Sequence, residues 1–579
     1  MTFFGDGFTY GFCVTIFAFF PLPPTTGTEQ LIEGRVISAP VSLSYGPSTK
    51  HQKLFSVISA STFQPRIVKK SSYSLIELRY PLKMSSKSLQ YANDFVSFLN
   101  SSPTPYHAVD TIKKSLLAKG FNELSEKTNW RGLIKKGSSY FVTRNGSSII
   151  AFTVGQKWLP GNGISIIGAH TDSPTLRIKP VSKGTSNGFI QVKCETYGGG
   201  IFHSYFDRSF SVAGRLFITK NGKSYPKLVK IDKPILQIPT LAIHLDRSVN
   251  TKFEFNKETK LVPIAGLENP TGAKNFKKQE EKEHSCADGS DLSDEEFQAL
   301  DSLVSRHSPE FMKVVAKEAG VEVSDIEDFE LILFDHNKST LGGLNDEFVF
   351  SGRLDNLFSC FCGTEAIINA SKTLANEPGI RLLAMFDHEE IGSQSAQGAD
   401  SNFIPSVMDR LSSLTGNEAN ADAVGHLSNG SYLYETSAKS FFLSSDVAHS
   451  GHPNYQENYE SNHKPQMNCG PVIKINASQR YATNSPGIVL IKKCAEKAEV
   501  PLQLFVVRND SPCGSTIGPI VCSKLGIRCL DIGAPILSMH SIRETGGSYD
   551  VEKLIKLFQS YYENFSQLES TIIVDGHLE

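Results

Sequence analysis

The ten cysteines of this chain are scattered and make no C-x-x-C pair; only Cys360 and Cys362 lie close together. That argues against a disulfide framework and against a structural zinc site, and it fits a reducing compartment. Net charge is small: 58 basic and 60 acidic residues leave a formal −2, which gives no electrostatic reason to expect nucleic acid or an anionic membrane as partner. No G-x-S-x-G nucleophile elbow occurs, nor a P-loop ending in G-K-[S/T]. "HEEIG" at His388 opens like a zincin H-E-x-x-H, but Gly392 stands where the second histidine belongs, so His388 reads as a bystander in a turn. The apolar run at residues 10–23 is too short to span a bilayer, and Pro21, Pro23 and Pro24 interrupt it. With no basic residue before it, it is a poor signal peptide. Acidic residues are missing from residues 34–76, where Arg35, Lys50, Lys53, Arg66, Lys69 and Lys70 are interspersed with ten serines. Basic, serine-rich and acid-free is the composition of a transit peptide. Residues 1–84 are therefore expected to be a leader; a plastid is the first choice, a mitochondrion or the cytoplasm the alternatives, and Met84 is an alternative start.

What is present is the composition of a soluble globular protein, 40% hydrophobic and 20% charged over 579 residues, too long for one ordinary core. Past Met84 helical and strand-like patterns alternate. "LQYANDFVSFLN" and "VDTIKKSLLAKGF" read as amphipathic helices, the second with Gly120 as its C-cap. "GISIIGAHTDSP" reads as a buried central parallel strand, and similar runs end at Asp387 ("IRLLAMFD"), Asp446 ("SFFLSSD") and His540 ("APILSMH"). Leu354, Leu357, Phe358 and Phe361 carry helical spacing, as do Leu554, Phe558, Tyr561, Tyr562 and Phe565. The expected fold class is α/β, a largely parallel sheet covered by helices, built from residues 85–176 and 346–579. Between them, residues 177–345 are β-rich and turn-rich, with a Gly198-Gly199-Gly200 turn and an Asn221-Gly222 hairpin signal, and read as an inserted domain. Its charged stretch at about 277–297 reads as a mobile surface loop and not a site.

In an open parallel sheet, ligands gather outside the C-terminal strand edges. The chain puts His170 and Asp172 there, Asp355 at a helix start, the adjacent Glu389 and Glu390, Asp446 and His540. Any one of these alone most often caps a helix or closes a turn. Five distant segments converging with histidine and carboxylate suit zinc, and also cobalt or manganese. The side-by-side glutamates are either solvated on a loop, the commoner case, or have a cation between them, because buried like charges repel.

"GAHTDSP", "YGGGIFHSYFDR", "LAIHLDR", "SGRLDN", "FDHEEIGSQSAQGA", "SSDVAHSGHPNY", "GPVIKIN", "RNDSPCGSTIGP" and "MHSIRE" together resemble the M18 family of metallo-aminopeptidases, and within it the aspartyl aminopeptidases. The motifs run in order from about Leu89 to the C-terminus. The resemblance implies a zinc-aminopeptidase-like fold and two divalent metal ions per subunit, zinc first. Asp355 would bridge the ions, His170 and Asp446 completing one site, Glu390 and His540 the other. Two such ions about 3.5–4 Å apart lower the pKa of a shared water, and Glu389 would be its general base. Asp172 would fix the tautomer of His170; the alternative is a simple turn-former. Read without the resemblance, "LAIHLDR" is an apolar strand with His244 a satisfied core residue. The resemblance instead implies that His244 reaches a neighbouring subunit's site, that the inserted domain makes the oligomer, and that twelve copies assemble. Lys474 lies in an apolar β-like run where an unpaired lysine is costly; read without the resemblance it could also snorkel from an edge strand, while the resemblance implies that it pairs with an acidic substrate side chain, with Arg508 the second candidate. The implied activity is release of N-terminal Asp or Glu from peptides. A broad-specificity aminopeptidase, or a cargo-type assembly with a vestigial site, are the alternatives, and the intact ligand set argues against the last.

Overall fold

A computed structural model describes residues 85–270, 300–414 and 429–575. The expected leader and the charged loop at 277–297 lie outside the described residues. All described residues belong to one compact unit, and among them no helix is long and apolar enough to cross a membrane.

At the centre four strands lie side by side and parallel, in the order Ile380–Phe386, Ile164–His170, Phe441–Ser445, Arg528–Gly533. All residues of the first three strands are buried, because helices cover both faces. Alternate side chains go to opposite cores, as a period of two demands. Ile167, Ala169, Leu383, Met385, Leu443 and Leu530 join the core under the helices Ser86–Ser101, Leu354–Ala370 and Ser548–Glu569. Ile164, Ile166, Leu382, Ala384, Phe442 and Cys529 join the core under Phe403–Ser412 and Ile517–Leu525. The flanks are mixed: three of the eight neighbour pairs of this nine-stranded sheet are antiparallel. The sheet is α/β as expected and parallel where the site lies.

A second sheet occupies the chain between Thr175 and Asp335. Its seven strands pair only antiparallel, and Ile326–Asp335 joins both Thr175–Ser186 and Ser209–Lys220, so the sheet closes on itself. The Asn221-Gly222 signal is a two-residue hairpin between Ser209–Lys220 and Lys223–Lys230, with φ of +54 and +69, the left-handed pair a type I′ turn requires. Helix Pro309–Ala319 packs Phe311, Met312 and Val315 into the core of this sheet.

Two sequence readings need correction. "APILSMH" is not a central strand. Its three-residue strand Pro535–Leu537 belongs to a separate five-stranded sheet, and the central position is taken by Arg528–Gly533 just before it. "LAIHLDR" is not a strand either: His244 sits in an exposed turn, with Leu241, Ile243 and Leu245 also exposed. Its alternating apolar residues face solvent, not a core.

Candidate metal centre

The parallel strands deliver their ends to one place. His170 is the last residue of its strand, Asp446 follows Ser445, and Glu389 and Glu390 follow Phe386 after a two-residue turn. Asp355 comes from the start of Leu354–Ala370 and is 3% exposed. His540 comes from the turn after Pro535–Leu537. Three non-glycine residues with positive φ frame the cluster: Arg353 at +63, His388 at +65 and His540 at +66. Such backbone is sparsely populated and concentrates at functional sites.

Asp355 stands between the two histidines. Its Oδ1 lies 3.2 Å from His170 Nε2 and its Oδ2 3.1 Å from His540 Nε2. On the His170 side, Asp446 Oδ1 lies at 3.7 Å and Glu389 Oε2 at 3.8 Å from the same Nε2. On the His540 side, Glu390 Oε2 lies at 3.5 Å from Nε2. The adjacent glutamates thus diverge: Glu390 turns toward His540, and Glu389 toward His170. His170, Glu389 and Asp446 offer atoms mutually within 4.8 Å, as do His170, Asp355 and Glu390. Each histidine is oriented through its other nitrogen, His170 Nδ1 by the Asp172 carbonyl at 3.1 Å and His540 Nδ1 by the Gly199 carbonyl at 3.2 Å.

Asp355 Oδ1, Glu390 Oε1 and Asp446 Oδ1 are buried acceptors with no hydrogen bond from protein. Buried polar atoms are ordinarily satisfied, and a cation is the partner that acceptor-only oxygens and imidazole nitrogens fit. The residues present therefore fit zinc. The electrostatics agree. Burial pushes the Glu389 carboxyl up to about 8 against the attraction of His170, with Asp446 and Asp355 adding repulsion. Burial and Asp355 push Glu390 well above its ordinary range. Burial opposes protonation of His540, yet Asp355 and Glu390 raise it to about 10. A cation among these groups reverses the sign of the carboxylate repulsion.

Asp172 does more than orient His170. Its Oδ1 accepts the Glu389 amide and its Oδ2 the Glu390 amide, each at 3.1 Å, and Oδ2 also accepts the Tyr197 hydroxyl at 2.7 Å. The turn that separates the glutamates is therefore clamped by one buried carboxylate. Tyr197 and Glu544 were not singled out in the sequence, and Gly199 was read only as part of a turn. Glu544 accepts the His540 amide at 2.8 Å and the Asp355 amide at 3.2 Å, so it ties the two segments that flank one half of the cluster. Their only sequence signal is membership of the "YGGG" and "MHSIRE" motifs.

Lys474 is buried, 2% exposed, on the strand Val472–Ile475. Its Nζ lies 3.4 Å from Asp446 Oδ2, donates to the Val447 carbonyl at 3.2 Å and sits 5.1 Å from the centre of the Tyr481 ring. It is thus placed at the edge of the cluster. Arg508 is not: it is bonded to Asp510 two residues on and to the Glu457 carbonyl. His244 is not brought to the cluster of its own chain. His388 points its Nδ1 at Ser395 Oγ, 2.8 Å away, and stays outside the ligand groups.

The family model for aminopeptidase I zinc metalloproteases (M18) matches residues 98–562. Aspartyl aminopeptidase 4 of Saccharomyces cerevisiae is 60% identical over 498 residues, spanning 85% of this chain and 98% of the relative. The aspartyl aminopeptidase of Aspergillus oryzae is 54% identical over 507 residues, spanning 85% and 99%. The cryo-EM structure of the Ape4 and Nbr1 complex matches with a TM-score of 0.76 at 47% identity, over 86% of this chain and 90% of that one. The S. cerevisiae mApe1 dodecamer matches with a TM-score of 0.67 at 29% identity, over 83% and 98%. Sequence, fold and ligand chemistry point one way: the chain belongs to the M18 family of zinc metallo-aminopeptidases.

Proposed function

We propose that the chain is a two-metal aminopeptidase that releases N-terminal Asp or Glu from peptides. The observation that carries the two-ion reading is a charge count. Five carboxylates, those of Asp172, Asp355, Glu389, Glu390 and Asp446, lie within 4 Å of His170 or His540. Among the described residues, Lys474 is the one lysine paired with them. With both imidazoles neutral, as metal ligation requires, the surplus of four negative charges is what two divalent cations balance. Asp355, with one oxygen toward each histidine, would be shared; His170 and Asp446 would hold one ion, Glu390 and His540 the other. When bound, the ions supply Lewis acidity toward a water and the scissile carbonyl.

The chain's own residues do the rest. Glu389, beside the His170 side of the cluster and less buried than Glu390, takes a proton from the attacking water and passes it to the leaving amine. Asp172 holds the Glu389–Glu390 turn and the His170 ring. The names of the relatives support acidic substrates, and buried Lys474 supplies a cation for the substrate carboxylate. The dodecamer among the structural neighbours supports a homo-oligomer, with residues 177–345 making it and His244 entering a neighbour's site.

Turnover of Asp-, Glu-, Leu- and Lys-linked reporters, by wild type and Lys474→Met, tests this. Chelation should abolish turnover and zinc restore it. Truncating one partner of a buried charge pair costs about 2–5 kcal/mol, or roughly 30-fold and upward in kcat/KM. Lys474→Met should therefore lose that much on Asp and Glu and far less on Leu. Because Lys474 also touches Asp446, bound zinc is measured alongside: metal retained with the wild-type Asp-to-Leu ratio would remove Lys474 from the specificity assignment.

A further inference from the structure

Beyond the histidine–carboxylate ligands, four segments line a polar pocket of about 340 Å3. They are the end of helix Ser86–Ser101, the end of strand Lys223–Lys230, the loop after Asp335 and the Gly352–Arg353 turn that leads to Asp355. Lys230, Lys338 and Arg353 line it, against the carboxylates of Asp232 and Asp335. Asp335 already faces Arg543 at 3.6 Å and Arg208 at 3.9 Å, so cations are in excess. Among the described residues, none of the three lining cations forms an ion pair. Lys230 Nζ donates to the Asn100 carbonyl at 2.5 Å. Arg353 Nε donates to Ser102 O at 3.2 Å and Nη2 to Leu99 O at 3.3 Å, which leaves Nη1 without a protein acceptor among the described residues.

The simplest account is that these cations answer the carbonyls at the helix end, which carry about half a negative charge. That offsets a fraction of one cation, not three. Burial, with repulsion from Arg353 and Lys338, holds the Lys230 ammonium below its ordinary range despite Asp232. Clustered cations in excess of their carboxylates are costly where water is partly excluded. An oxyanion touching all three would relieve that cost, and a guanidinium edge with two ammonium groups suits phosphate oxygens. The volume leaves room for such an ion together with several waters, each occupying about 30 Å3.

We propose that this pocket binds a small oxyanion of the phosphate type, held by Lys230, Lys338 and the Nη1 edge of Arg353. The site is independent of the peptidase reading. Calorimetric titration of the zinc-loaded full-length protein with inorganic phosphate, at constant ionic strength, tests it by comparing wild type with the Lys230→Met/Lys338→Ala variant. Phosphate taken up at the metal cluster is common to both, so the difference reads the pocket. Wild type should bind one more phosphate per chain, while aminopeptidase turnover of the variant stays within about twofold of wild type, as expected for changes remote from the catalytic machinery. Equal stoichiometry in a variant that keeps its turnover overturns the proposal. Should the double variant fail to fold, Lys338→Ala alone, at an exposed position, must weaken phosphate binding by about threefold. Unchanged binding there overturns the proposal equally.

Discussion

At the scale of single residues, the adjacent glutamates carry the sharpest expectation. Glu389→Gln keeps the size and the backbone turn but cannot take a proton. It should keep its zinc and lose at least about 10²-fold in kcat, the range general-base catalysis contributes; full activity with zinc bound would end the assignment. Asp172→Asn tests the clamp. An amide has one acceptor oxygen, so one of the two glutamate N–H groups would meet an NH2 donor in place of a carboxylate oxygen. Groups that orient metal ligands typically cost about 10–100-fold in metal affinity or activity when changed. Zinc affinity measured by competition with a chelator should fall in that range, and wild-type affinity with wild-type kcat would show the clamp to be dispensable. The residues of this centre were legible because histidines and carboxylates stood at strand ends. That Asp172 also clamps the Glu389–Glu390 turn, and what Tyr197 and Glu544 do, was not legible, because it depends on backbone amides and on residues 25 to 218 positions apart meeting in space. Arg508 shows the opposite failure: its partner Asp510 was two residues away in "RNDSP", and the pair was readable as local.

At the scale of elements, strands buried on both faces announced themselves as continuous apolar runs. Gly168 shows how tightly they are packed, since a Cβ there would stand 2.2 Å from the Phe442 ring. Arg528–Gly533 escaped notice for a physical reason. Its sequence, "RCLDIG", carries Asp531, fully buried yet satisfied by the Thr516 hydroxyl at 2.5 Å and the Ala482 amide at 2.6 Å. A polar residue paid for by such bonds breaks the apolar pattern without breaking the strand. The strand that leads into Glu389 and Glu390 has a second buried ionic feature at its other end. Glu377 and Arg381, 6% and 2% exposed, pair at 2.7 Å, and Glu377 also accepts the Gly379 amide and the Ser566 hydroxyl. Glu377→Ala should cost about 3–5 kcal/mol, because it leaves the guanidinium buried and uncompensated. Replacing both by methionine should recover most of that in denaturant titrations, since a well-packed apolar pair is often no worse than a buried ion pair. A single substitution that costs nothing would mean that Arg381 is satisfied by the Thr373 hydroxyl and nearby carbonyls alone.

At the scale of the whole molecule, the turn around His244 is the feature that the single chain does not explain. Leu241, Ile243 and Leu245 are 57%, 45% and 75% exposed on either side of an exposed histidine. The period-two spacing suggested a strand because nothing in the spacing itself says whether an apolar face will meet a core of the same chain or be left exposed. Neighbouring exposed apolar side chains of this kind mark interaction surfaces, and a second copy of the chain is the occupant the proposed assembly offers. Burying each leucine is worth about 1.5–3 kcal/mol, and in a closed oligomer the gain repeats at every copy of the interface. Leu241→Asp combined with Leu245→Asp should therefore convert the assembly to smaller species in sedimentation velocity. If His244 completes a neighbour's site, the dissociated chains should also lose turnover although each keeps its own zinc. His244→Ala separates the two effects, because it removes the imidazole and leaves the leucines: assembly mass should be retained and kcat should fall. Retained mass and retained kcat in both variants would place the interface elsewhere and return His244 to an ordinary surface turn.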